Sequence, residues 1–373
     1  VGVLPTPGLA YLVNVRDADL GVMLSASHNP MPDNGIKFLQ RGGVKLDDYI
    51  EDAIESRLGE PWRHPTGAEV GRVTPDDGSL LESYIDYLVG SLEGQRLGGL
   101  KIVIDAANGA AAQTAVPAFE ASGAEVIAIH CEPDGLNIND NCGSTHLADL
   151  MAAVVAHGAD LGIALDGDAD RCLAVDATGA LVDGDKIMAV LALHLADQGK
   201  LHNNTLVATI MSNLGLINAM REHGIQVDQT RVGDRYVLES MAANGFTLGG
   251  EQSGHIIISE YANTGDGALT GLHLAGRMAA SGRSLAELAS VMVTLPQVMI
   301  NVPGVDKLRA GIDPEITQAV TAANRELGAS GRVVLRPSGT EPLVRVMVEA
   351  ATIEQANEVA GRLADLVATR LAL

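Results

Sequence analysis

The sequence is poor in aromatic residues, in cysteine and in positive charge. Aromatic side chains make up 3% of the 373 residues although 47% are hydrophobic, so we expect cores of aliphatic and small side chains. Three cysteines, Cys131, Cys142 and Cys172, are odd in number and lack CxxC spacing, which favours reduced thiols over disulfides or zinc. The net charge of -22 argues against a nucleic acid or an anionic membrane as the main partner.

Long apolar runs are also missing. No stretch of 18 apolar residues occurs, and the start is neither basic nor followed by a signal-type apolar core, so we expect a cytoplasmic protein. The length predicts two to four domains. The chain begins at Val1 without Met, and residues 1–4 resemble the middle of a buried strand that ends at Pro5-Thr6-Pro7, so we expect upstream sequence to be missing.

Short aliphatic segments alternate with helical periodicity through most of the chain, a pattern typical of α/β layers. It predicts three similar mixed α/β domains, at 1–79, 80–181 and 182–295, of which the first is truncated. From residue 297 the strands alternate polar and apolar residues, as in a sheet with one exposed face. We therefore predict a C-terminal α+β domain at 296–373.

Three aspartates follow a nearly uncharged strand at alternate positions: Asp166, Asp168 and Asp170. Hard oxygen donors this close repel each other unless a cation neutralises them, so the loop predicts Mg²⁺ or a similar ion. A calcium EF-hand would need glycine where Arg171 stands and glutamate where Ala177 stands. An exposed acidic turn is the other alternative, but α/β folds place ligands at the carboxyl ends of strands.

Ser27 lies in a turn-forming segment beside His28, and Lys37 supplies a cation close by in sequence. The G-x-S-x-G motif of serine hydrolases is absent around Ser27, and no P-loop occurs. A phosphorylated Ser27 would carry about -1.5 to -2 charges and would need a cation bridging it to the three aspartates. We therefore predict a phosphoryl-carrying serine next to a metal.

Two later loops are rich in polar residues. Glu251 and Ser253 lie two apart, so in an extended loop they would point the same way and bracket two hydroxyls of a sugar, with His255 as a proton shuttle. A turn with satisfied hydrogen bonds is an equal alternative for this loop.

The second loop, residues 336–345, combines hydroxyls and a glycine with an arginine at each end. This combination predicts phosphate binding without a P-loop. An exposed hairpin turn would explain its glycine and prolines but not the two arginines.

With these four segments in this order, the chain resembles the α-D-phosphohexomutase superfamily over essentially its whole length. Gln252 and the segments 143–146 and 232–237 are similar to the branch that acts on glucosamine phosphates. The phosphomannomutase and phosphoglucomutase branch is the alternative. The family's F-G-T-D-G-[IV]-R-G and G-x-D-x-R motifs are missing, which leaves a non-catalytic phosphosugar-binding protein as a further alternative.

The resemblance implies a set of roles for named residues. Ser27 would be the phosphoserine and, with the three aspartates, would hold one Mg²⁺. Lys37 and His255 would be the general acid and base, with His28 beside the serine. The implied substrate contacts are Arg171, Glu251, Ser253, Arg336, Ser338, Gly339, Thr340 and Arg345.

The resemblance also implies the reaction. Glucosamine 6-phosphate and glucosamine 1-phosphate would interconvert through the phosphoserine and a bisphosphorylated sugar, feeding amino-sugar and cell-wall precursor synthesis. The partner would be a phosphorylated amino sugar, and we consider a homodimer as the assembly.

Overall fold

The computed structural model describes residues 1–338 and 341–373, which form two units: residues 1–209 with 228–291, and residues 210–227 with 292–373. The helices are α1 (Thr6–Val15), α2 (Asp48–Ser56), α3 (Ser79–Gly90), α4 (Ala115–Ala121), α5 (Ala148–His157), α6 (Gly184–Asp197), α7 (Leu214–Glu222), α8 (Asp234–Asn244), α9 (Gly267–Ser281), α10 (Leu285–Ala289), α11 (Pro314–Leu327) and α12 (Ile353–Arg370). The strands are β1 (Leu20–Leu24), β2 (Ile36–Gln40), β3 (Val44–Lys45), β4 (Lys101–Asp105), β5 (Glu125–Ile129), β6 (Leu161–Leu165), β7 (Cys172–Asp176), β8 (Leu181–Val182), β9 (Thr205–Thr209), β10 (Gln226–Thr230), β11 (Leu248–Gly250), β12 (Ile256–Ile258), β13 (Gln297–Pro303), β14 (Arg332–Pro337) and β15 (Leu343–Glu349).

The first sheet of the first unit is antiparallel, in the order β1-β2-β3. Helix α1 packs on β1 where Gly21 leaves room, since a Cβ there would lie 2.5 Å from Cγ2 of Val13. The strand predicted at residues 1–4 is wrong, because Val1 and Val3 are exposed and α1 already begins at Thr6. Pro7, in the first turn of α1, has the fixed φ that suits a helix start.

The second sheet positions the loop that carries Asp166, Asp168 and Asp170, residues 166–171, which is called the aspartate loop below. Its order is β5-β4-β6-β7-β8, with β5, β4 and β6 parallel and β6 and β7 forming an antiparallel hairpin. All five residues of β6 are buried, as its apolar sequence predicts. The aspartate loop therefore leaves the carboxyl end of a buried strand, where the amino-acid sequence placed it.

A third sheet, in the order β10-β9-β11-β12, carries the loop that contains Glu251. Strand β11 is parallel to β9 and antiparallel to β12, and Val207, Val237, Met241 and Ile257 form a buried core against α8. Helix α6 begins at Gly184, directly after Asp183. The carboxylate of Asp183 accepts a hydrogen bond from Lys186 N at 3.0 Å and so caps the helix.

The second unit is built on the antiparallel sheet β13-β15-β14. Helices α11 and α12 pack on it, and Thr352 caps α12 by accepting from Gln355 N at 3.2 Å. The prediction of one exposed sheet face holds for β13 but not for β15, which is buried except at Arg345. Glu349 lies on the same face of β15 as Arg345, opposite the face that packs against α11 and α12. It pairs with Arg332 and accepts a hydrogen bond from Leu214 N, so this face is covered at Glu349.

No helix among the described residues has the length and apolar character needed to cross a membrane. The domain boundaries at 79, 181 and 295 stay predictions.

A buried carboxylate joins α3 to α9. Tyr84 Oη donates to Asp266 Oδ2 at 2.8 Å, and Leu269 N donates to Asp266 Oδ1 at 2.9 Å. Burial raises the pKa of Asp266 to about 6, against the lowering effect of these hydrogen bonds. The carboxyl group therefore binds its proton more tightly in the folded state than its ordinary value of 3.8 would allow.

We expect Asp266→Asn to flatten the pH dependence of stability. A raised pKa in the folded state contributes stability at low pH that is lost as the pH rises through the folded value. As the pH rises from about 4 to about 7, the free energy of unfolding measured with urea should fall on the order of 2 kcal/mol more in the wild type than in the variant. The asparagine keeps the helix cap and serves as its own structural control. Parallel pH profiles for the two proteins would contradict the assignment.

Candidate active site

Ser27 is held in a tight turn with its hydroxyl directed at the aspartate loop. Its φ is +54°, in the left-handed region, and its N donates to Ser25 Oγ at 2.9 Å. Ser27 Oγ donates to Asp166 Oδ2 at 2.9 Å and lies 3.4 Å from Nδ1 of His28. The structure therefore brings together two segments that lie 139 residues apart in the sequence.

Gly35 and Gly167 allow the backbone to come this close. A Cβ on Gly35 would lie 2.4 Å from the carbonyl oxygen of Ser25, and one on Gly167 would lie 2.7 Å from that of Ser27. Cβ atoms do not approach a backbone oxygen so closely. Any larger residue would therefore displace the aspartate loop or residues 25–30, which are called the serine turn below.

Asp166, Asp168 and Asp170 are each at most 5% exposed, and one oxygen from each lies within 4.8 Å of the others. Burial, and then the charges of Asp170 and Asp168, raise the pKa of Asp166 to about 8. The three carboxylates thus form a buried region of strong mutual repulsion.

Groups from the first sheet and from α1 partly offset this repulsion. Lys37 Nζ lies 2.5 Å from Oδ2 of Asp168 and 3.2 Å from Oδ2 of Asp170, and Thr6 Oγ1 donates to Asp168 Oδ2 at 2.6 Å. Burial alone would lower the pKa of Lys37, but Asp170 and Asp168 outweigh it and raise that pKa. Lys37 is therefore a charged ammonium that bridges two of the aspartates.

The aspartates fit a hard divalent cation. Oδ1 of Asp168 and Oδ1 of Asp170 are buried and have no hydrogen-bond partner among the described residues. Buried oxygens without a donor are costly unless an ion or water satisfies them. Mg²⁺ binds carboxylate oxygens of this kind.

Arg171 belongs to the same loop. Its N donates to Asp166 Oδ1 at 3.1 Å, and its Nε lies 4.0 Å from oxygens of Asp166 and Asp170. This Nε is buried without a hydrogen-bond partner among the described residues. The predicted phosphate contact of Arg171 stays a prediction, and the uncommitted Nε–H is compatible with it.

His255 is buried behind Asp170. Its Nδ1 lies 3.6 Å from Asp170 Oδ1, its Nε2 lies 3.7 Å from Asp234 Oδ2, and the ring is 4% exposed. Burial lowers the pKa of His255, but Asp170 and then Asp234 outweigh burial, so the pKa is raised overall. Gly265 N lies 3.1 Å from Nε2, and in the neutral ring Nε2 would accept this hydrogen bond while Nδ1 carries the proton towards Asp170. The role of His255 in proton transfer stays a prediction.

Three charged residues near this site, Lys45, Asp234 and Arg235, were not among the predicted site residues. Lys45 at the end of β3 forms an ion pair with Asp234 at the start of α8, and Arg235 Nη2 donates to the carbonyl of Leu46 at 2.9 Å. Burial would raise the pKa of Asp234, but Lys45 and then His255 lower it. A charge series of Lys45, Asp234, His255 and Asp170 results. Asp234, in the polar loop Gly233-Asp234-Arg235, was a feature of the sequence that could have indicated this cluster.

The segment with Glu251 and Ser253 is a turn and not the extended loop that the side-chain argument assumed. Gly254 N donates to the carbonyl of Glu251 at 3.0 Å, which closes the turn. Glu251 and Ser253 are half-buried, and Glu251 Oε1 accepts from Gly233 N at 3.2 Å. Their contact with sugar hydroxyls stays a prediction.

Arg336 and Arg345 of the second unit lie directly opposite each other on β14 and β15. The Nε atoms of both are buried without a hydrogen-bond partner among the described residues. Burial, and then the charge of Arg345, lower the pKa of Arg336. Two paired guanidinium groups with free donors form an attractive site for an anion.

The loop between these strands is held by a lysine that sequence analysis missed. Lys307 Nζ donates to the carbonyls of Ser338 at 2.7 Å and of Glu341 at 3.3 Å. Ser338 Oγ accepts from Glu341 N at 3.2 Å. The predicted phosphate contacts Gly339 and Thr340 lie outside the described residues.

Models of the phosphoglucomutase/phosphomannomutase family match four parts of the chain. These are alpha/beta/alpha domain I at residues 1–61, domain II at 82–179, domain III at 183–295 and the C-terminal domain at 299–366. Fold and site thus define an α-D-phosphohexomutase, an isomerase that transfers a phosphoryl group within a sugar. The chain belongs to this family, and the prediction of three mixed α/β domains and a C-terminal domain is confirmed.

Curated relatives show which branch of the family the chain is similar to. The chain is 66% identical to the phosphoglucosamine mutase of Cutibacterium acnes and 64% identical to that of Streptomyces griseus subsp. griseus, in both cases over 100% of this chain and 83% of the relative.

Solved structures share the fold. A phosphoglucomutase/phosphomannomutase family protein from Burkholderia thailandensis matches with a TM-score of 0.78 and 22% identity over 99% of this chain and 83% of that one. The N-acetylphosphoglucosamine mutase of Aspergillus fumigatus, in complex with GlcNAc-6P and magnesium, matches with 0.73 and 19% identity over 98% and 92%.

We expect Lys37→Met to bind Mg²⁺ more tightly and to lose turnover. Its ammonium opposes a cation at the aspartates, so its removal should tighten the metal by at least about tenfold. Manganese titration followed by electron paramagnetic resonance measures the affinity. Lys45→Met, whose lysine pairs with Asp234 instead, is the matched control and should change the affinity little. Weaker binding in Lys37→Met would show that the lysine shapes the metal site and does not oppose it.

We expect Arg336→Met and Arg345→Met to raise KM for the phosphosugar more than they lower kcat. Each removes charge-assisted hydrogen bonds worth about 1.5 to 3 kcal/mol, or roughly a 10- to 100-fold change in KM. Steady-state kinetics separate the two parameters. Arg362→Met, which removes an exposed arginine paired with Glu326, is the control. An unchanged KM in both variants would argue against phosphate binding by this pair.

Proposed function

We propose that the chain interconverts glucosamine 6-phosphate and glucosamine 1-phosphate. The observation that carries the proposal is Ser27 Oγ donating at 2.9 Å to a buried triad of aspartates. The glucosamine substrate is supported by the name and the 66% identity of the Cutibacterium acnes relative. This activity would feed amino-sugar and cell-wall precursor synthesis, and it is consistent with the predicted cytoplasmic location. A homodimer remains our working assembly.

In the first half-reaction, phosphorylated Ser27 gives its phosphoryl group to the free hydroxyl of the bound sugar phosphate. The bond between phosphorus and Oγ breaks, a bond between phosphorus and the sugar oxygen forms, and the hydroxyl proton leaves to a base. The product is a bisphosphorylated sugar. In the second half-reaction Ser27 takes the phosphoryl group from the other end, which regenerates the enzyme and releases the isomer.

The chain supplies groups suited to these proton transfers. We assign Lys37, whose Nζ contacts Asp168 and Asp170 of the aspartate loop, as the group that protonates Oγ when the phosphoryl group leaves. Burial, and then Arg171, lower the pKa of His28, so its ring is neutral and can accept a proton, 3.4 Å from Oγ in the unphosphorylated enzyme. We retain His255 as the second candidate base, since its ring contacts Asp170.

Charge neutralisation is the other requirement of phosphoryl transfer. We propose that Asp166, Asp168, Asp170 and the phosphoserine hold one Mg²⁺ per chain. When bound, this ion would polarise the phosphoryl oxygens and offset the charge of the four ligands. Arg171 would contact the transferred group.

The remaining predicted residues would bind the substrate. Glu251 and Ser253 would bind sugar hydroxyls. The phosphate that is not being transferred would be bound by the loop with the paired arginines, through Arg336, Ser338, Gly339, Thr340 and Arg345. The two arginines with free Nε donors support this assignment.

We expect Ser27→Ala to abolish interconversion and to prevent phosphorylation of the protein. Incubation with a sugar bisphosphate, followed by intact-mass and peptide mapping, should place one phosphate on Ser27 in the wild type. Ser25→Ala is the matched control for the phosphorylated position: it lacks the hydrogen bond from Ser27 N to Ser25 Oγ, so turnover should fall, but the phosphate should still be found on Ser27. Activity that survives in Ser27→Ala would contradict the mechanism.

The sugar specificity is tested with the same wild-type protein. Rates with glucosamine 6-phosphate, glucose 6-phosphate and mannose 6-phosphate should rank in that order. A preference for a neutral sugar would favour the phosphoglucomutase or phosphomannomutase alternative. Binding of phosphosugars without any turnover would favour the non-catalytic alternative.

A further inference from the structure

The serine turn is held by hydrogen bonds from the side-chain amide of Asn139, which lies between β5 and α5; this contact is called the clamp below. Asn139 Nδ2 donates to the carbonyl of Ser27 and to the carbonyl of Asn29, both at 2.9 Å. A single amide nitrogen has two N–H bonds, and both are used on the turn that carries the phosphoryl acceptor. Asn139 is 7% exposed, so water does not replace these contacts at low cost.

The clamp is itself fixed in place. Asn139 N donates to the carbonyl of Ala107 at 2.9 Å, which anchors the residue to the loop after β4. A Cβ on Gly167 would lie 2.8 Å from Nδ2 of Asn139, so the amide occupies a space that a glycine in the aspartate loop leaves open. The aspartate loop, Asn139 and the serine turn are thus packed against one another.

The serine turn needs such support. A non-glycine residue with φ of +54° is less stable than in an ordinary conformation by about 1 kcal/mol or more, and it persists only where surrounding contacts impose it. Within the turn, Ser27 N bonds to Ser25 Oγ, and Asn29 N bonds to the carbonyl of Ala26. These bonds fix its shape but do not fix its position relative to Asp166. The bonds from Asn139 connect the turn to the sheet that carries Asp166.

We propose that Asn139 is a positioning residue that holds Ser27 Oγ in line with the aspartate loop for phosphoryl transfer, an inference that rests on the proposed function. It touches neither the reacting oxygen nor the carboxylates. Its effect is exerted through the two backbone carbonyls on either side of His28. Small displacements of a reacting group are costly in phosphoryl transfer, because catalysis there depends on positioning.

Asn139→Ala and Asn139→Asp test the clamp. Alanine removes both hydrogen bonds, and aspartate also places a carboxylate against two carbonyl oxygens. Hydrogen exchange followed by mass spectrometry should show residues 25–30 exchanging roughly tenfold or more faster in Asn139→Ala, since two hydrogen bonds are lost. kcat should fall about 10- to 100-fold in Asn139→Ala and further in Asn139→Asp, while KM for the phosphosugar stays within about twofold.

Asn141→Ala is the matched control. Asn141 has the same side chain and a similar left-handed φ of +53°, but it is exposed and its side chain donates to neighbouring Asp140. It should match the wild type in exchange and in kcat. If Asn139→Ala is poorly folded, Asn139→Ser serves as the second variant, because it is small and polar yet does not reach both carbonyls.

The outcomes separate this inference from the proposed function. Unchanged exchange of residues 25–30 in the Asn139 variants overturns the clamp. Faster exchange with wild-type kcat overturns the positioning role. A lower melting temperature with unchanged kcat and unchanged exchange of the turn marks a purely structural residue and also overturns it. If the wild type shows no mutase activity, the proposed function fails, and the exchange measurement alone decides whether the clamp exists.

Discussion

Mutual repulsion among three buried carboxylates is the constraint on which this structure depends. Asp166, Asp168 and Asp170 lie at the end of a fully buried strand, with one oxygen from each within 4.8 Å of the others. Such a cluster is stable only if cations and donors surround it. At least one of its members is contacted by each of Lys37, Thr6, Arg171, His255 and Ser27. The positions of the other loops of the first unit follow from the need to bring these groups to one place.

Close backbone approach is the second requirement, and glycine meets it at the points of contact. Gly167 allows the aspartate loop to reach the serine turn, and Gly109 lies against Gly167 from the other side, where a Cβ would be 2.3 Å from its carbonyl oxygen. These contacts leave little room between the loops. The reacting serine is therefore fixed by packing as well as by hydrogen bonds, which suits chemistry that depends on position.

Local features of the sequence were sufficient for part of this arrangement. The aspartate loop was predictable because an uncharged strand ends abruptly in three acids. Residues 1–4 were misassigned because an apolar composition alone does not supply a neighbouring strand. The sequence left both a turn and an extended loop open at Glu251, because the choice between them depends on backbone hydrogen bonds with Gly254 and His255. Thr6, Lys45 and Asn139 were not predictable, since each acts on a residue more than 100 positions away.

The charge series of Lys45, Asp234, His255 and Asp170 bears on how the first unit moves. Each member is at least half-buried, and each has a neighbour of opposite or partial charge. Moving β3 away from α8 would break the Lys45 and Asp234 pair and leave His255 with one acid partner. Such a separation would leave partly buried charges without their partners. We therefore expect the first, second and third sheets to move as one rigid body, so that the turn at Ser27 and the aspartate loop keep their relative positions.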